Sequence, residues 1–187
     1  MKDCYFCKIV AGTIPCHPIW EDDRHLAFLS PNPNTPGTTL VIPKVHHPNY
    51  AFELEDDTLS GLVIASKQVA RLLDCALDDV AKTGLILEGH GTDHLHAKLI
   101  PMHGTRSASS FRPIPPALAK IFTRYEGYLS SHDARRCRDE DLMVLARRIR
   151  SFHGCPDREK PCPKSRIAFG KQRDQETRSG SDHQRLN

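Results

Sequence analysis

The sequence predicts an α+β domain, an antiparallel sheet flanked by helices, and three observations carry that expectation. Short runs of bulky apolar and β-branched residues recur over 18–22, 25–29, 38–42, 83–88 and 94–100. One long segment, 56–75, instead places Leu59, Leu62, Val63, Val69, Leu72 and Leu73 at three- and four-residue spacings, the period of a helix face. Between these runs lie clusters of Gly, Pro, Asn and Asp, the residues that fix or free the backbone in turns. A chain of 187 residues is long enough for one such domain and its core.

Taken in order, residues 4–10 are compatible with one or two helical turns, stopped at Ala11 and Gly12. Residues 18–22 and 25–29 are separated by the polar Asp22, Asp23 and Arg24 and predict a β-hairpin. The loop 31–37 holds three prolines and Gly37 and precedes a third strand over 38–42. After the long helix, strands over 83–88 and 94–100 are joined by the short connection 89–93. A short proline-started helix is expected over 116–124, and a longer one over 139–152 with Leu142, Leu145, Ala146 and Ile149 facing inward. Beyond 153 the apolar period ends, and eight Lys or Arg stand against five Asp or Glu. Such a composition predicts a disordered basic tail over 153–187.

Composition also limits the function classes. A formal charge of +3 carries no dense Lys/Arg stripe of the kind that binds nucleic acid through counterion release. No apolar leader and no run of about 18 apolar residues occurs, so a soluble, cytoplasmic protein without membrane contact is expected. Seven cysteines are an odd number for a disulfide framework, and Cys4-x-x-Cys7 has the spacing of a metal-binding or redox pair.

The chemistry concentrates in His94-Leu95-His96-Ala97-Lys98-Leu99-Ile100-Pro101. A strand's period of two sets His94, His96 and Lys98 on one face and Leu95, Ala97 and Leu99 on the other. Positions on that face are roughly 6.6 Å apart, so neighbours can address one small ligand.

This segment resembles the signature of the histidine-triad (HIT) family, three histidines alternating with apolar residues on a strand shortly before a proline. The resemblance extends through the runs 4–15, 20–23, 26–29 and 36–46, all in the family's order, and covers residues 1–105. It implies a HIT-like fold with a five-stranded antiparallel sheet over 1–105 and a homodimer; from their own apolar spacing, the helices of 106–152 are expected to form an extension packed on that domain. His96, the middle histidine, is implied as the nucleophile that attacks an α-phosphorus to give a covalent nucleotidyl-histidine. Phe6, Ile19, Leu26 and Phe28 are implied to line the base pocket. The loop before the triad, with Glu88 and Thr92, is implied to face the phosphate. The substrates implied are purine nucleotides with a leaving group on the α-phosphate, such as dinucleoside polyphosphates or nucleoside phosphoramidates.

Three departures stand out against the family pattern. Lys98 occupies the third histidine's position; a cation there still neutralises phosphate but is a poor proton shuttle near pH 7, which leaves hydrolase and nucleotidyl transferase both open. Ser30 stands where relatives have an aspartate that grips the ribose, and Glu88 replaces an asparagine in a shortened loop. For the Cys-x-x-Cys, the family's bacterial type implies a structural zinc on Cys4, Cys7, His46 and His94, with four protein ligands and no open position. His47 is a rival to His46, and a redox pair or free thiols are the other readings. His90, His103, Lys44 and Arg106 read as ordinary polar loop or surface residues, and Trp20 as core or interface packing. The alternative of a different class is a non-catalytic nucleotide-binding or scaffold protein that keeps the fold.

Overall fold

The computed structural model describes residues 4–106, 121, 123–124 and 133–152. The expected helix over 116–124 falls largely, and the expected tail over 153–187 wholly, outside the described residues. Five antiparallel strands, β1 (Pro18–Glu21), β2 (His25–Leu29), β3 (Thr39–Pro43), β4 (Thr83–Ile86) and β5 (Ala97–Pro101), form one sheet in the order β1-β2-β3-β5-β4. Among the described residues three α-helices flank it: α1 (Tyr5–Val10), α2 (Asp56–Ala76) and α3 (Asp139–Arg150). A 3-10 turn, Ala51–Glu53, leads into α2. None of these helices is long and apolar enough to cross a membrane.

Strand β2 is buried along its whole length, because both faces of the sheet are covered. Ala27, Leu29, Val41, Ala97 and Leu99 point to one face, where Leu62, Val69 and Leu73 of α2 and Leu142, Leu145 and Ile149 of α3 close the main core. Leu26, Phe28 and Ile42 point to the other, where Phe6 and Ile9 of α1 close a smaller one. Each fully buried Leu, Ile or Phe contributes about 1.5–3 kcal/mol. The apolar runs predicted as strands are therefore covered by two apolar layers of unequal size.

The largest difference from the expected boundaries is at β5. The strand over 94–100 begins only at Ala97. Its pairing with β3 ends at Val41↔Ala97, and two residues further along that register stands Pro43, which has no N–H to continue the ladder. The amide of Leu95 donates instead to His47 O at 2.9 Å, and that of His94 to Thr92 O at 2.8 Å. His94, in a bend, and Leu95 and His96 thus lie just before β5, with Leu95 in the main core and both histidines against Phe6 of the smaller one.

Gly37, with φ of +86°, makes the turn into β3; a Cβ there would meet Leu77 Cδ1 at 3.0 Å. Arg106 was expected to be plain surface, but its guanidinium donates to the carbonyls of Leu77 and Val80 at 3.4 and 2.6 Å, and also to that of Asp74. It closes the C-terminal end of α2, where backbone carbonyls lack helical partners.

Candidate active site and metal centre

Helix α1, the segment 43–47 and the approach to β5 converge on His94, which is fully buried. Its Nε2–H donates to Pro43 O at 2.9 Å, so Nδ1 carries the lone pair. That Nδ1 lies 3.4 Å from Cys4 Sγ and 3.6 Å from Cys7 Sγ, and His46 Nδ1 lies 3.5 Å from Cys7 Sγ. All four ligand atoms lie within 4.8 Å of one another. In a tetrahedral zinc site the sulfur–nitrogen edge is about 3.6 Å, from Zn–S near 2.3 and Zn–N near 2.0–2.1 Å. The three measured edges match that figure, and the carbonyl behind His94 is the support that metal-bound histidines usually have. Burial first, and then the hydrogen bond and charge of Cys4, push the Cys7 thiol above its ordinary value. Two sulfurs so placed become thiolates together when a cation lies between them. The donor set fits zinc. His47, the rival ligand, uses its carbonyl to hold Leu95.

His96, 6% exposed, stands next to this cluster. Its Nδ1–H donates to His94 O at 2.8 Å, which leaves Nε2 with the lone pair. Burial, first, and the Lys98 charge hold its basicity below the ordinary imidazole value, against the opposing pull of the His94 carbonyl and Glu88. Phe6 packs edge-on against both rings, with centroids 5.7 Å from His94 and 5.4 Å from His96.

Glu88 Oε1 is 2.8 Å from Lys98 Nζ and 4.0 Å from His96 Nε2, and the Glu88 side chain is only 7% exposed. Sequence reasoning named both residues but missed their pairing. The pairing follows from the strand register, which only the fold reveals: Ile86 pairs with Lys98, so two residues further along the same register Glu88 falls opposite His96, diagonal to Lys98.

The other expected ligand contacts are placed unevenly. Phe6, Leu26 and Phe28 cluster together beside the histidines. Ile19 does not join them: it is buried in the main core on the other face of the sheet. The register shift in β1 between Pro18 and Trp20 accompanies that turn inward. Ser30 is buried, its hydroxyl accepting from the Asn32 amide at 3.3 Å, while Asn32 and Pro31 bond to Ala134 and Cys137 of the segment leading to α3. Thr92 is half-buried, with its carbonyl in the turn that sets His94. Gly89, with φ of +60°, makes the loop after Glu88, and a Cβ there would meet Tyr50 Cδ2 at 3.2 Å.

Comparison with known proteins agrees with this geometry. The model of the HIT domain matches residues 11–105. A HIT-like protein of Methanocaldococcus jannaschii is 34% identical over 103 residues, 54% of this chain and 79% of that one. The adenosine 5'-monophosphoramidase hnt1 of Schizosaccharomyces pombe is 35% identical over 98 residues, 52% and 73% of the two chains. Among solved structures, a hypothetical histidine triad nucleotide-binding protein of Sulfolobus tokodaii superposes with a TM-score of 0.58 at 27% identity, covering 79% of this chain and 90% of that one. The chain belongs to the HIT domain family.

Proposed function

We propose that this protein is a nucleotide hydrolase or nucleotidyl transferase that acts at the α-phosphate of purine nucleotide conjugates, through a covalent bond to His96 Nε2. The observation that carries the reading is the His96 tautomer: Nδ1–H is committed to His94 O at 2.8 Å, so the buried Nε2 presents a lone pair next to the Lys98 cation. The family relation to a nucleotide-binding protein and to a monophosphoramidase supports the substrate class. Phe6, Leu26 and Phe28 form the apolar wall for the base, Thr92 and the turn around it face the phosphate, and Ser30 stands at the ribose position.

Cys4, Cys7, His46 and His94 would hold a structural zinc. Bound there, the metal supplies a cross-link between α1, the 43–47 segment and the carbonyl that orients His96, and takes no part in bond making. Thiolate ligands suit a reducing compartment such as the cytoplasm. The catalytic unit lies within 1–105, with α3 packed on its core; the exposed Leu85 on the edge strand β4 supports pairing into a homodimer.

Product analysis by chromatography, with diadenosine tetraphosphate and an adenosine phosphoramidate, tests the reading. Turnover of either substrate by wild type and its loss in His96→Ala is the expected outcome. The second reading, a non-catalytic nucleotide binder, draws on the Glu88 carboxylate 4.0 Å from Nε2, which opposes an incoming phosphate. It is adopted if wild type binds nucleotide and turns over neither substrate.

A further inference from the structure

The third triad position holds a lysine, and a lysine alone does half of what an imidazole does there. An imidazole carries one N–H donor and one acceptor lone pair, whereas an ammonium has three donors and no acceptor. The missing acceptor lies next to it. Glu88 Oε1 takes the Lys98 hydrogen bond at 2.8 Å, and Glu88 Oε2 is buried without any hydrogen-bond partner among the described residues. The same carboxylate stands 4.0 Å from His96 Nε2. Keeping an unsatisfied carboxylate oxygen out of water costs free energy, and such an atom commonly marks a functional site.

We propose that Glu88 and Lys98 act as one proton-transfer unit in place of the third histidine, Lys98 as the acid and Glu88 as the base. The inference rests on the covalent reading of His96 given above. In the first step Nε2 bonds to the α-phosphorus and the bond from phosphorus to the leaving atom breaks. The electron pair goes to that atom, and the Lys98 ammonium gives it a proton, becoming an amine. In the second step a water oxygen bonds to phosphorus, the P–Nε2 bond breaks with its pair returning to Nε2, and the water proton passes to Glu88. Transfer of that proton across the 2.8 Å bond restores the ammonium and the carboxylate. The water has been split between the nucleotide and the leaving group, and both residues are back in their starting forms. Glu88 serves only the second step, so its loss stalls the reaction at the covalent intermediate.

Rapid-quench kinetics with an adenosine phosphoramidate carrying a fluorogenic amine test this, on the full chain with wild type, His96→Ala, Glu88→Gln and the double variant E88N/K98H. Glu88→Gln is expected to release one equivalent of amine at the wild-type rate and then slow by roughly a hundredfold, the usual size of a lost general base. Adenylylated protein accumulates in its intact mass, and azide, which attacks without giving up a proton, restores turnover. E88N/K98H, with an imidazole back at the strand position, turns over without a burst. The proposal is overturned if Glu88→Gln matches wild type, if its burst and steady state fall together, or if azide gives no rescue. Where Glu88→Gln proves unfolded, the double variant decides: folded and inactive, it overturns the proposal. Wild-type turnover that His96→Ala abolishes preserves the nucleophile whatever Glu88→Gln does; wild type without turnover overturns both.

Discussion

At the scale of single residues, the site is built around a lysine and a glutamate that depend on one another. Lys98 and Glu88 are 15% and 7% exposed, so removing one leaves the other charged, buried and alone. Lys98→Met is expected to cost roughly 3–5 kcal/mol, whereas adding Glu88→Leu to it restores most of that loss, because two apolar groups replace a buried pair at little net cost. Urea denaturation of the single and double variants measures both; equal stability of the two contradicts a coupled pair. The sequence made each residue visible as a separate departure from a family pattern, Lys98 for a histidine and Glu88 for an asparagine. Their coupling was not legible, because it depends on which residue of β4 falls opposite which of β5. Ile19 escaped for a related reason: an irregularity in β1 turns a side chain to the other face, and no periodicity announces it.

At the scale of elements, α1 is the part most dependent on something outside itself. Six residues are too few for a helix to hold in water by propensity. Cys4 caps it, with the Cys7 amide on its sulfur, and the two sulfurs meet His46 and His94. Zinc should therefore be present in purified protein, and Cys7→Ser should remove it and expose the amides of α1 to hydrogen exchange, while α2 amides keep their protection. Protein without metal, and with α1 protected all the same, contradicts the assignment. The Cys-x-x-Cys spacing was plain in the sequence, but the distances that select His46 over His47 come only from the fold.

A second contact at this scale carries a pH dependence. The ring of His103, just after β5, reaches Asp79 Oδ1 at 2.9 Å and Pro36 O at 2.9 Å, and the Gly104 amide donates to Asp79 Oδ2 at 3.2 Å. Burial alone would raise the Asp79 carboxyl; the bonds and charge of His103 and the Gly104 amide outweigh it and hold it below the usual carboxylate range. A depressed carboxyl stabilises the fold fully above its unfolded value of about 3.9 and loses that contribution as pH falls toward the folded value. Asp79 is more than half exposed, so the effect is under about 1 kcal/mol. Asp79→Asn should flatten that part of the stability curve below pH 4 in acid titrations; an unchanged slope contradicts it.

At the scale of the whole molecule, the sheet separates two tasks. One face carries the large core of α2 and α3, and the other carries α1, the histidines and the Lys98–Glu88 pair. The fold class, the five-stranded antiparallel sheet implied by the resemblance and the places of α2 and α3 were legible, because long periodic segments and turn clusters report burial directly. The start of β5 was not, since it is set by a proline in a different strand. Helix α3 buries Leu142, Leu145, Ala146 and Ile149 against the same core as α2. A chain ending at 105 is therefore expected to bare apolar surface, to unfold at lower urea and to bind a hydrophobic dye. The same midpoint as the full chain would show that the extension contributes nothing to the core.

The central claim is that His96 Nε2 is the atom to which the nucleotide is transferred. The most direct measurement is acid-free quenching of wild type with substrate labelled at the α-phosphate, followed by peptide mapping of the protein-bound label. Label on the peptide containing His96, absent from His96→Ala, is the result the structure predicts. Label on another residue, or turnover that persists in His96→Ala, would contradict it.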